Sequence, residues 1–129
     1  TPTLSTHVGR YYIVLNSHNP RLLVEHCDYI SAYGWGSGGA DARKKMNIPG
    51  GGPKYCVTPL CVMDFDEEDK YMRLYALHPG VTEEQVRAQT GFTLKTPRQI
   101  PTTPAPTQEE LHVLRTRVDP EGRLRKRAR

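Results

Sequence analysis

The order of apolar and polar positions in the first half of the chain predicts short extended segments. The apolar, β-branched run at residues 11–15 predicts a buried strand that ends at Asn16. In residues 21–30, the apolar groups Leu22–Val24 and Tyr29–Ile30 flank a polar interruption, which predicts a short helical turn followed by a strand. Residues 55–65 alternate imperfectly and predict one further strand, bent at Pro59.

A second alternating run predicts a hairpin. Residues 66–70 are all polar, and residues 72–77 then place apolar side chains on both faces of a strand. Two strands joined by a short polar connection are typical of a β-hairpin. The sequence His78-Pro79-Gly80 ends it.

Two sequences predict helix starts. Thr82–Gln85 is a capping box, and the helix after it runs to about Thr90, with Gly91 as the residue that ends it in a left-handed conformation. Residues 107–110 form a second capping box. Apolar side chains follow that box at helical spacing, until Asp119-Pro120 ends the helix.

A proline-rich strap separates the two predicted helices. Four prolines lie between residues 97 and 106, and proline has no backbone N–H to give to a sheet. The strap is therefore expected to lie across the surface of the body or of a partner.

The composition indicates that the core is completed by another polypeptide. Only 36% of the 129 residues are hydrophobic and the mean hydropathy is −0.63, which is lean for an independent domain. No apolar window is long enough to span a membrane, and three cysteines do not suit a disulfide framework. A cytoplasmic protein is expected.

The net charge of +4 comes from the end of the chain. Residues 123–129 hold five of the 18 basic residues, so the rest carries 13 basic against 14 acidic residues, a net charge of −1. A terminal run of like charges is typical of a solvated, disordered tail. A nucleic-acid surface would instead spread its charge over a folded face, so no nucleic-acid partner is expected.

Seven glycines lie between residues 34 and 52 and bracket a possible short helix, Ala40–Ile48, that ends before Pro49. Residues 34–39 contain the pattern G-x-G-x-x-G, but a dinucleotide site needs a longer helix than Pro49 allows. A tight loop next to the sheet, on the border of a ligand pocket, is the preferred interpretation. Tyr33 and Trp35 line that pocket or pack at a subunit interface.

Three other groups have a chemical and a structural interpretation. His26 and the three cysteines lack the C-x₂-C spacing of a zinc site, so buried free thiols are favoured. His78 is expected to hold backbone groups in a turn rather than to act as a base. The cluster Arg43-Lys44-Lys45 either meets the phosphate groups of a ligand or forms a solvated helix face.

Several blocks keep their order and spacing along residues 7–122. They are GADARKKMNIPGGGP from Gly39, VMDFD from Val62, LHPGVT from Leu77 and PTQEELHVLRTRVDPEG from Pro106. Together they resemble the B (β) subunits of family I coenzyme A (CoA) transferases, of the glutaconate CoA-transferase branch, and this resemblance makes CoA the expected ligand of the glycine-rich loop and the basic cluster. The resemblance begins in the middle of that subunit, so it implies the C-terminal half, from a processed, split or truncated chain.

The resemblance implies an α/β fold, with a mostly parallel sheet, flanking helices and a β-hairpin. Residues 1–96 would form the C-terminal half of the subunit domain, residues 97–122 the strap and the last helix, and residues 123–129 a basic disordered tail. The missing N-terminal half of the B subunit and an A subunit are the implied partners. An (AB)₂ or larger hetero-oligomer is the implied assembly.

The resemblance also implies a reaction. A glutamate attacks an acyl-CoA thioester and becomes a glutamyl-CoA thioester, and CoA then passes to a second short carboxylic or dicarboxylic acid. CoA is a substrate, and neither a metal nor a prosthetic group is implied. The family's glutamate and its oxyanion loop lie before the matched region, so the chain would not be active alone, and Glu25 is only a minor candidate. The candidate CoA contacts are Gly34, Trp35, Gly36, Gly38, Gly39 and Arg43.

Two alternatives remain open at this point. Relatives in the same family hydrolyse ring-derived CoA thioesters, although the glycines at residues 50–52 favour the transferase branch. The second alternative is a non-catalytic interaction module that has kept the scaffold and lost the chemistry.

Overall fold

The computed structural model describes residues 2–126. Helices and strands alternate irregularly along the chain, and residues 114–118 form a π-helical continuation of the fourth helix. The elements are α1 (Pro2–His7), β1 (Tyr11–Val14), α2 (Ala42–Lys45), β2 (Pro53–Val57), β3 (Cys61–Phe65), β4 (Met72–Leu77), α3 (Glu83–Ala88), α4 (Gln108–Val113) and α5 (Arg123–Lys126). Among these residues, no helix has the length and apolar character needed to cross a membrane.

The four strands form one sheet in the order β1-β2-β3-β4. The α/β class and the hairpin of β3 and β4 are confirmed. The expectation of a mostly parallel sheet is wrong for this part of the chain, because only β1 and β2 pair in parallel. The prediction of a single bent strand over residues 55–65 is also wrong, because β2 and β3 are separate antiparallel strands.

A tight turn replaces the predicted bend. The Thr58 hydroxyl accepts the backbone N–H groups of Leu60 and Cys61, at 3.2 and 3.1 Å. This local hydrogen bonding reverses the chain around Pro59, so β2 and β3 pair as antiparallel neighbours. Residues 53–65 therefore form a hairpin.

The core lies on one face of the sheet. It combines inward side chains of β2, β3 and β4 with Val86 of α3. Five of its members have 1% exposure or less: Cys56, Cys61, Met63, Leu74 and Val86. The strand predicted over residues 11–15 forms as β1, but it is buried on one face only. β1 lies at an edge of the sheet, and its side chains Tyr12 and Val14 are 55% and 70% exposed.

The proline-rich strap lies along the edge of β4. The N–H groups of Leu74 and Leu77 donate to the carbonyl oxygens of Lys95 and Pro101, at 2.8 and 2.9 Å. The N–H of Thr103 donates back to Leu77 O at 2.8 Å, so the strap also supplies a donor between its prolines. The strap therefore covers this edge of the body.

The predicted strand in residues 21–30 does not form. The chain makes one turn at Asn19, whose backbone and side-chain oxygens accept the N–H groups that follow, and pairs only at Val24, with Gly91. Gly91 does not take the predicted left-handed conformation. A Cβ there would lie 2.5 Å from Leu23 O, so close approach of two backbone segments explains this glycine.

Both capping boxes are present, so both predicted helix starts are confirmed. α3 buries Val86, whereas α4 buries no side chain. The Asp119 carboxylate accepts the N–H groups of Arg123 and Leu124 at 2.6 and 3.1 Å and begins α5. The predicted tail, residues 123–129, thus begins with this helix, and residues 127–129 lie outside the described chain.

Candidate functional site

The predicted glycine-rich loop is held against the connection of the β3–β4 hairpin. The N–H of Gly39 donates to Asp69 O at 2.7 Å, and that of Ala40 donates to Glu68 O at 2.9 Å. The four glycines of residues 34–39 all have positive φ, between 54° and 93°. Residues 34–39 therefore form successive tight turns, as the glycine pattern predicts.

Two of these glycines also lack the space for a side chain. A Cβ at Gly36 would lie 2.4 Å from the ring of Tyr33, and one at Gly38 would lie 2.7 Å from Asp69 O. The loop therefore needs glycine both for its backbone conformation and for its packing.

The second glycine run, residues 50–52, forms a backbone contact with the N-terminal segment. The N–H of Gly50 donates to Thr6 O at 2.8 Å and that of Gly51 donates to Gly9 O at 2.9 Å. A Cβ at these glycines would lie 2.4 and 2.1 Å from the same oxygens. The two glycines let the two backbone segments meet without intervening side chains.

Arg43 ties both glycine runs together. Its side chain is only 4% exposed, and its guanidinium donates to the carbonyl oxygens of Gly50, Gly34, Ser5 and Thr6 over 2.7–3.2 Å. The solvated-face interpretation is therefore wrong for Arg43. It still describes Lys44 and Lys45, which are exposed.

The helix that carries Arg43 is shorter than the predicted Ala40–Ile48. It spans only Ala42–Lys45, because Asn47 adopts a left-handed conformation with φ 54°. The chain therefore leaves the helix before Pro49 is reached.

Trp35 is the central side chain of the loop. Its Nε1 donates to Pro53 O at 3.1 Å, and its ring lies 6.5 Å from that of Phe65. The Lys70 ammonium lies 4.9 Å from the centre of the indole, a cation–π geometry. The indole therefore links the loop to both hairpins.

Two clefts open on either side of Trp35. The first has a volume of about 530 Å³ and is bounded by α2 and the second glycine run, with Lys44 and Asn47 as polar side chains. The second has a volume of about 440 Å³ and lies between Trp35, the segment at Glu25 and the hairpin residues 69–72. The predicted CoA contacts are thus neighbours in space, and Glu25 faces the same loop from the second cleft.

The carboxyl group of Glu25 lies in an open setting. Its side chain is exposed, as are those of His26 and Cys27 beside it. A carboxylate nucleophile needs an enclosed site that holds substrate against it. The described residues do not enclose Glu25 in this way.

The prediction of buried free thiols holds for two of the three cysteines. Cys56 and Cys61 are buried free thiols, as expected, but Cys27 is exposed. Burial raises the pKa of Cys56 to about 11, which keeps this thiol protonated and unreactive at neutral pH. Among residues 2–126, no group of His, Cys, Asp or Glu side chains has the arrangement of a metal site.

A buried histidine network lies at the opposite end of the sheet and was not predicted. His18 Nδ1 lies 2.8 Å from the Thr58 hydroxyl, and its Nε2 lies 3.0 Å from the hydroxyl of Thr90. Because Thr90 donates to Val86 O, its oxygen is left to accept from Nε2. Burial lowers the pKa of His18 below 6.5, so the neutral ring joins the β2–β3 turn to α3.

His78 has the structural role expected from the sequence. Its Nε2 lies 3.0 Å from Thr58 O, and its Nδ1 lies 2.8 Å from the Thr103 hydroxyl of the strap. Both ring nitrogens are engaged within the fold, at the end of β4. The predicted end of the hairpin at residues 78–80 is a turn, in which Gly80 has φ 80° and the N–H of Val81 donates to His78 O.

The curated proteins contain clear relatives of this chain, although no family model matches it. The B subunit of the 3-oxoadipate CoA-transferase of Pseudomonas knackmussii is 37% identical over 103 residues, which cover 80% of this chain and 39% of that relative. The cholesterol ring-cleaving hydrolase IpdB subunit of Mycobacterium bovis is 34% identical over 118 residues, which cover 90% of this chain and 44% of that relative.

Solved structures give the same result for the fold. The glutaconate CoA-transferase of Acidaminococcus fermentans matches 95% of this chain and 46% of its own chain, with a TM-score of 0.84 and 28% identity. IpdAB of Rhodococcus jostii RHA1 matches 93% of this chain and 47% of its own, with a TM-score of 0.76 and 26% identity. The chain spans less than half the length of these relatives. The resemblance inferred from the sequence blocks is confirmed.

Proposed function

We propose that this chain, a homologue of part of the B subunits of CoA-transferases, is the scaffold portion of an enzyme that moves CoA between short carboxylic or dicarboxylic acids. The observation that carries the proposal is the match to the B subunit of a 3-oxoadipate CoA-transferase over 80% of the chain. The structural match to glutaconate CoA-transferase supports the same conclusion.

The proposed reaction uses a glutamate outside these residues. Its carboxylate oxygen attacks the thioester carbonyl, CoA leaves as a thiolate, and a mixed anhydride forms. The thiolate then attacks the glutamyl carbonyl, which releases the first acid and leaves a glutamyl-CoA thioester. The second acid reverses these steps and leaves as its CoA thioester. The exposed setting of Glu25 supports a nucleophile from elsewhere.

The glycine-rich loop is the proposed wall of the CoA site. Gly34 and Gly39 leave open space where a side chain would lie, so substrate can approach their backbone. Gly36 and Gly38 line the second cleft, and Trp35 offers an apolar face between the two clefts. Arg43 acts as a positioning residue, because its donors already bind backbone carbonyls. Lys44, exposed on the first cleft, is the better cation for a phosphate of CoA.

The proposed partners are the rest of a B subunit and an A subunit, in an (AB)₂ or larger assembly. The curated relatives are named as subunits, and this chain covers only 39% and 44% of the two described above. The reaction as proposed needs neither a metal nor a prosthetic group, and we expect it to take place in the cytoplasm.

Chemical trapping of the covalent intermediate tests the proposal. The assembled enzyme is incubated with an acyl-CoA and then reduced with borohydride, which converts a glutamyl thioester to an alcohol. Peptide mass spectrometry locates the change. We expect it on a glutamate outside these 129 residues, whereas a reduced Glu25 would show that the nucleophile lies within them.

A second candidate function has a specific observation in its favour. The hydrolase IpdB subunit is 34% identical to this chain, close to the value for the transferase relative. The two activities differ in whether a carboxylic acid acceptor is required. We expect loss of acyl-CoA by the assembled enzyme to depend on added acid, and turnover without an acceptor would favour the hydrolase.

A further inference from the structure

The second cleft, between Trp35 and the connection of the β3–β4 hairpin, has a largely apolar wall. Ile30, Trp35, Tyr71 and Met72 are its large apolar side chains, and its volume is about 440 Å³. A concave apolar wall with a few polar groups is typical of a site for a small organic molecule. The charges of this cleft therefore determine which molecule it suits.

The acidic side chains of the cleft do not neutralise its lysine, Lys70. The Asp69 carboxylate is engaged elsewhere, because it bonds to the Lys95 ammonium and accepts the N–H of Tyr71 at 2.9 Å. The bond from Lys95 also holds the pKa of Asp69 below its ordinary value, so this carboxylate is charged and already paired. Glu25 is exposed, where water and salt screen its charge.

Lys70 is a cation without an acidic partner. Its side chain is half-buried, whereas those of Lys44, Lys45 and Lys54 are exposed. Its ammonium lies 4.9 Å from the centre of the Trp35 indole, and within residues 2–126 no carboxylate lies at ion-pair distance from it. A half-buried charge is unfavourable unless an opposite charge meets it, so an anionic ligand suits this position.

The backbone of Lys70 fixes where this side chain begins. The residue adopts a left-handed conformation with φ 61°, which glycine adopts at lower cost. Its N–H donates to Asp66 O at 3.2 Å and closes the turn of the hairpin. A residue held in an unfavourable conformation at the wall of a cleft is a candidate for function.

We propose that the Lys70 ammonium binds the second carboxylate of a dicarboxylic substrate in the cleft beside Trp35, and that this contact makes the enzyme prefer dicarboxylic to monocarboxylic acids. The inference rests on the proposed function and names the residue that selects the acid. The methylene chain of such an acid contacts the apolar wall, one carboxylate meets Lys70, and the other receives CoA.

A phosphate of CoA is a poorer ligand for this lysine. Lys44 is exposed at the first cleft and is free to meet a phosphate there, whereas Lys70 lies against an aromatic ring in a cleft with an apolar wall. The two assignments differ in which substrate is affected when Lys70 is replaced. A carboxylate site changes the KM for the acid, and a phosphate site changes the KM for the acyl-CoA.

Steady-state kinetics of the assembled enzyme test the inference. The chain is combined with the rest of a B subunit and an A subunit from the P. knackmussii transferase. Succinate, glutarate and adipate are compared with propionate, butyrate and pentanoate, which each lack only the second carboxylate. We expect Lys70→Met to raise the KM for the dicarboxylic acceptors by about 30-fold and to leave kcat and the KM for the monocarboxylic acids unchanged.

Three further variants separate this role from a structural one. Lys70→Arg keeps the charge and the contact with the indole and should retain the preference. Lys70→Gly removes the side chain at a conformation that glycine favours, so it keeps the fold if Lys70→Met does not. Lys54→Met is the matched control, because Lys54 also lies over an aromatic ring, 5.2 Å from the centre of Tyr55, but lines neither cleft.

Fluorescence gives a measurement that needs no turnover. Trp35 is the single tryptophan of the chain, so its emission reports on this cleft. The chain is titrated with glutarate and with butyrate at constant ionic strength. We expect a saturable change with glutarate alone, and none with either acid in Lys70→Gly.

The outcomes separate the two proposals. An enzyme that transfers CoA with the same preference in Lys70→Met and Lys54→Met overturns the Lys70 inference alone. A raised KM for the acyl-CoA instead of the acid also overturns it, because Lys70 would then bind a phosphate. An enzyme that transfers CoA to none of these acids overturns the proposed function, and the titration then decides the Lys70 site, which equal responses to glutarate and butyrate would exclude.

Discussion

The two sides of the sheet are stabilised in different ways. The side at β4 is closed, because a strap covers its edge and α3 packs Val86 into the core. The side at β1 is open, and Tyr12 and Val14 of that strand are 55% and 70% exposed. The closed side has a packed apolar core, whereas the open side leaves apolar side chains of its last strand exposed.

The open side is nonetheless ordered, through backbone hydrogen bonds rather than apolar burial. Arg43 donates to four carbonyl oxygens there, and Gly50 and Gly51 bond directly to the backbone of residues 6–9. This comparison predicts that truncation of apolar side chains affects the closed side most, and that polar or glycine substitutions affect the open side most.

The largest effect is expected for Leu74→Ala on the closed side. Leu74 is 1% exposed, and its truncation leaves a cavity in a packed core, at a cost of about 2–5 kcal/mol in the free energy of unfolding. Val14→Ala is the matched change on the open side, with an expected cost below about 0.5 kcal/mol. Urea denaturation of both variants measures the difference, and equal losses would remove the distinction between the two sides.

Arg43→Met should be the most damaging substitution on the open side. The apolar stem remains, but four carbonyl oxygens lose their donor, with an expected loss of about 3 kcal/mol. The control is Lys44→Met, the same loss of charge at an exposed neighbour. Thermal melting compares them. An Arg43→Met variant as stable as Lys44→Met would mean that the guanidinium does not hold the glycine runs together.

Gly51→Ala tests the backbone contact below the loop. The added Cβ would meet Gly9 O at 2.1 Å, so the two segments must separate, at a cost of about 1–3 kcal/mol. Gly9→Ala is the control, because a Cβ at Gly9 meets no atom within 4 Å. Chemical denaturation checks both, and a neutral Gly51→Ala would contradict the described approach of the two backbones.

The smallest effect is a pH dependence on the closed side. Burial lowers the folded-state pKa of His18 below its ordinary value of 6.5. The unfolded chain therefore binds more protons just below that value, and stability should fall as pH drops from about 7 to 5. Denaturation midpoints across this range measure it. His18→Gln keeps a hydrogen-bonding side chain and should have a shallower slope, whereas an unchanged slope would exclude His18 as the cause.

Local signals in the sequence predicted part of the fold. The two capping boxes predicted where α3 and α4 begin, because their hydrogen bonds lie within four consecutive residues. They did not indicate that α3 buries a side chain and α4 buries none, since that depends on distant packing. The turn at Pro59 was missed because the Thr58 side chain, which caps it, has no distinctive spacing in the sequence.

The sequence predicted which residues form the candidate site, but not the structural role of each. The glycines of residues 34–39 were identified as a tight loop, and the structure brings them together with Trp35 and Arg43. The burial of Arg43 was not predictable, because its partners at residues 5, 6 and 50 are distant carbonyls present in any sequence. The network of His18 with Thr58 and Thr90 likewise depends on contacts between residues far apart in the chain.

The most direct test of the account is acyl-CoA turnover in the presence of a dicarboxylic acid. The chain is assayed alone and then with the rest of a B subunit and an A subunit from the P. knackmussii transferase. The account predicts no transfer of CoA by the chain alone and transfer once the other polypeptides are added. Transfer at the same rate by the isolated chain would contradict it, because these residues would then contain a complete catalytic site.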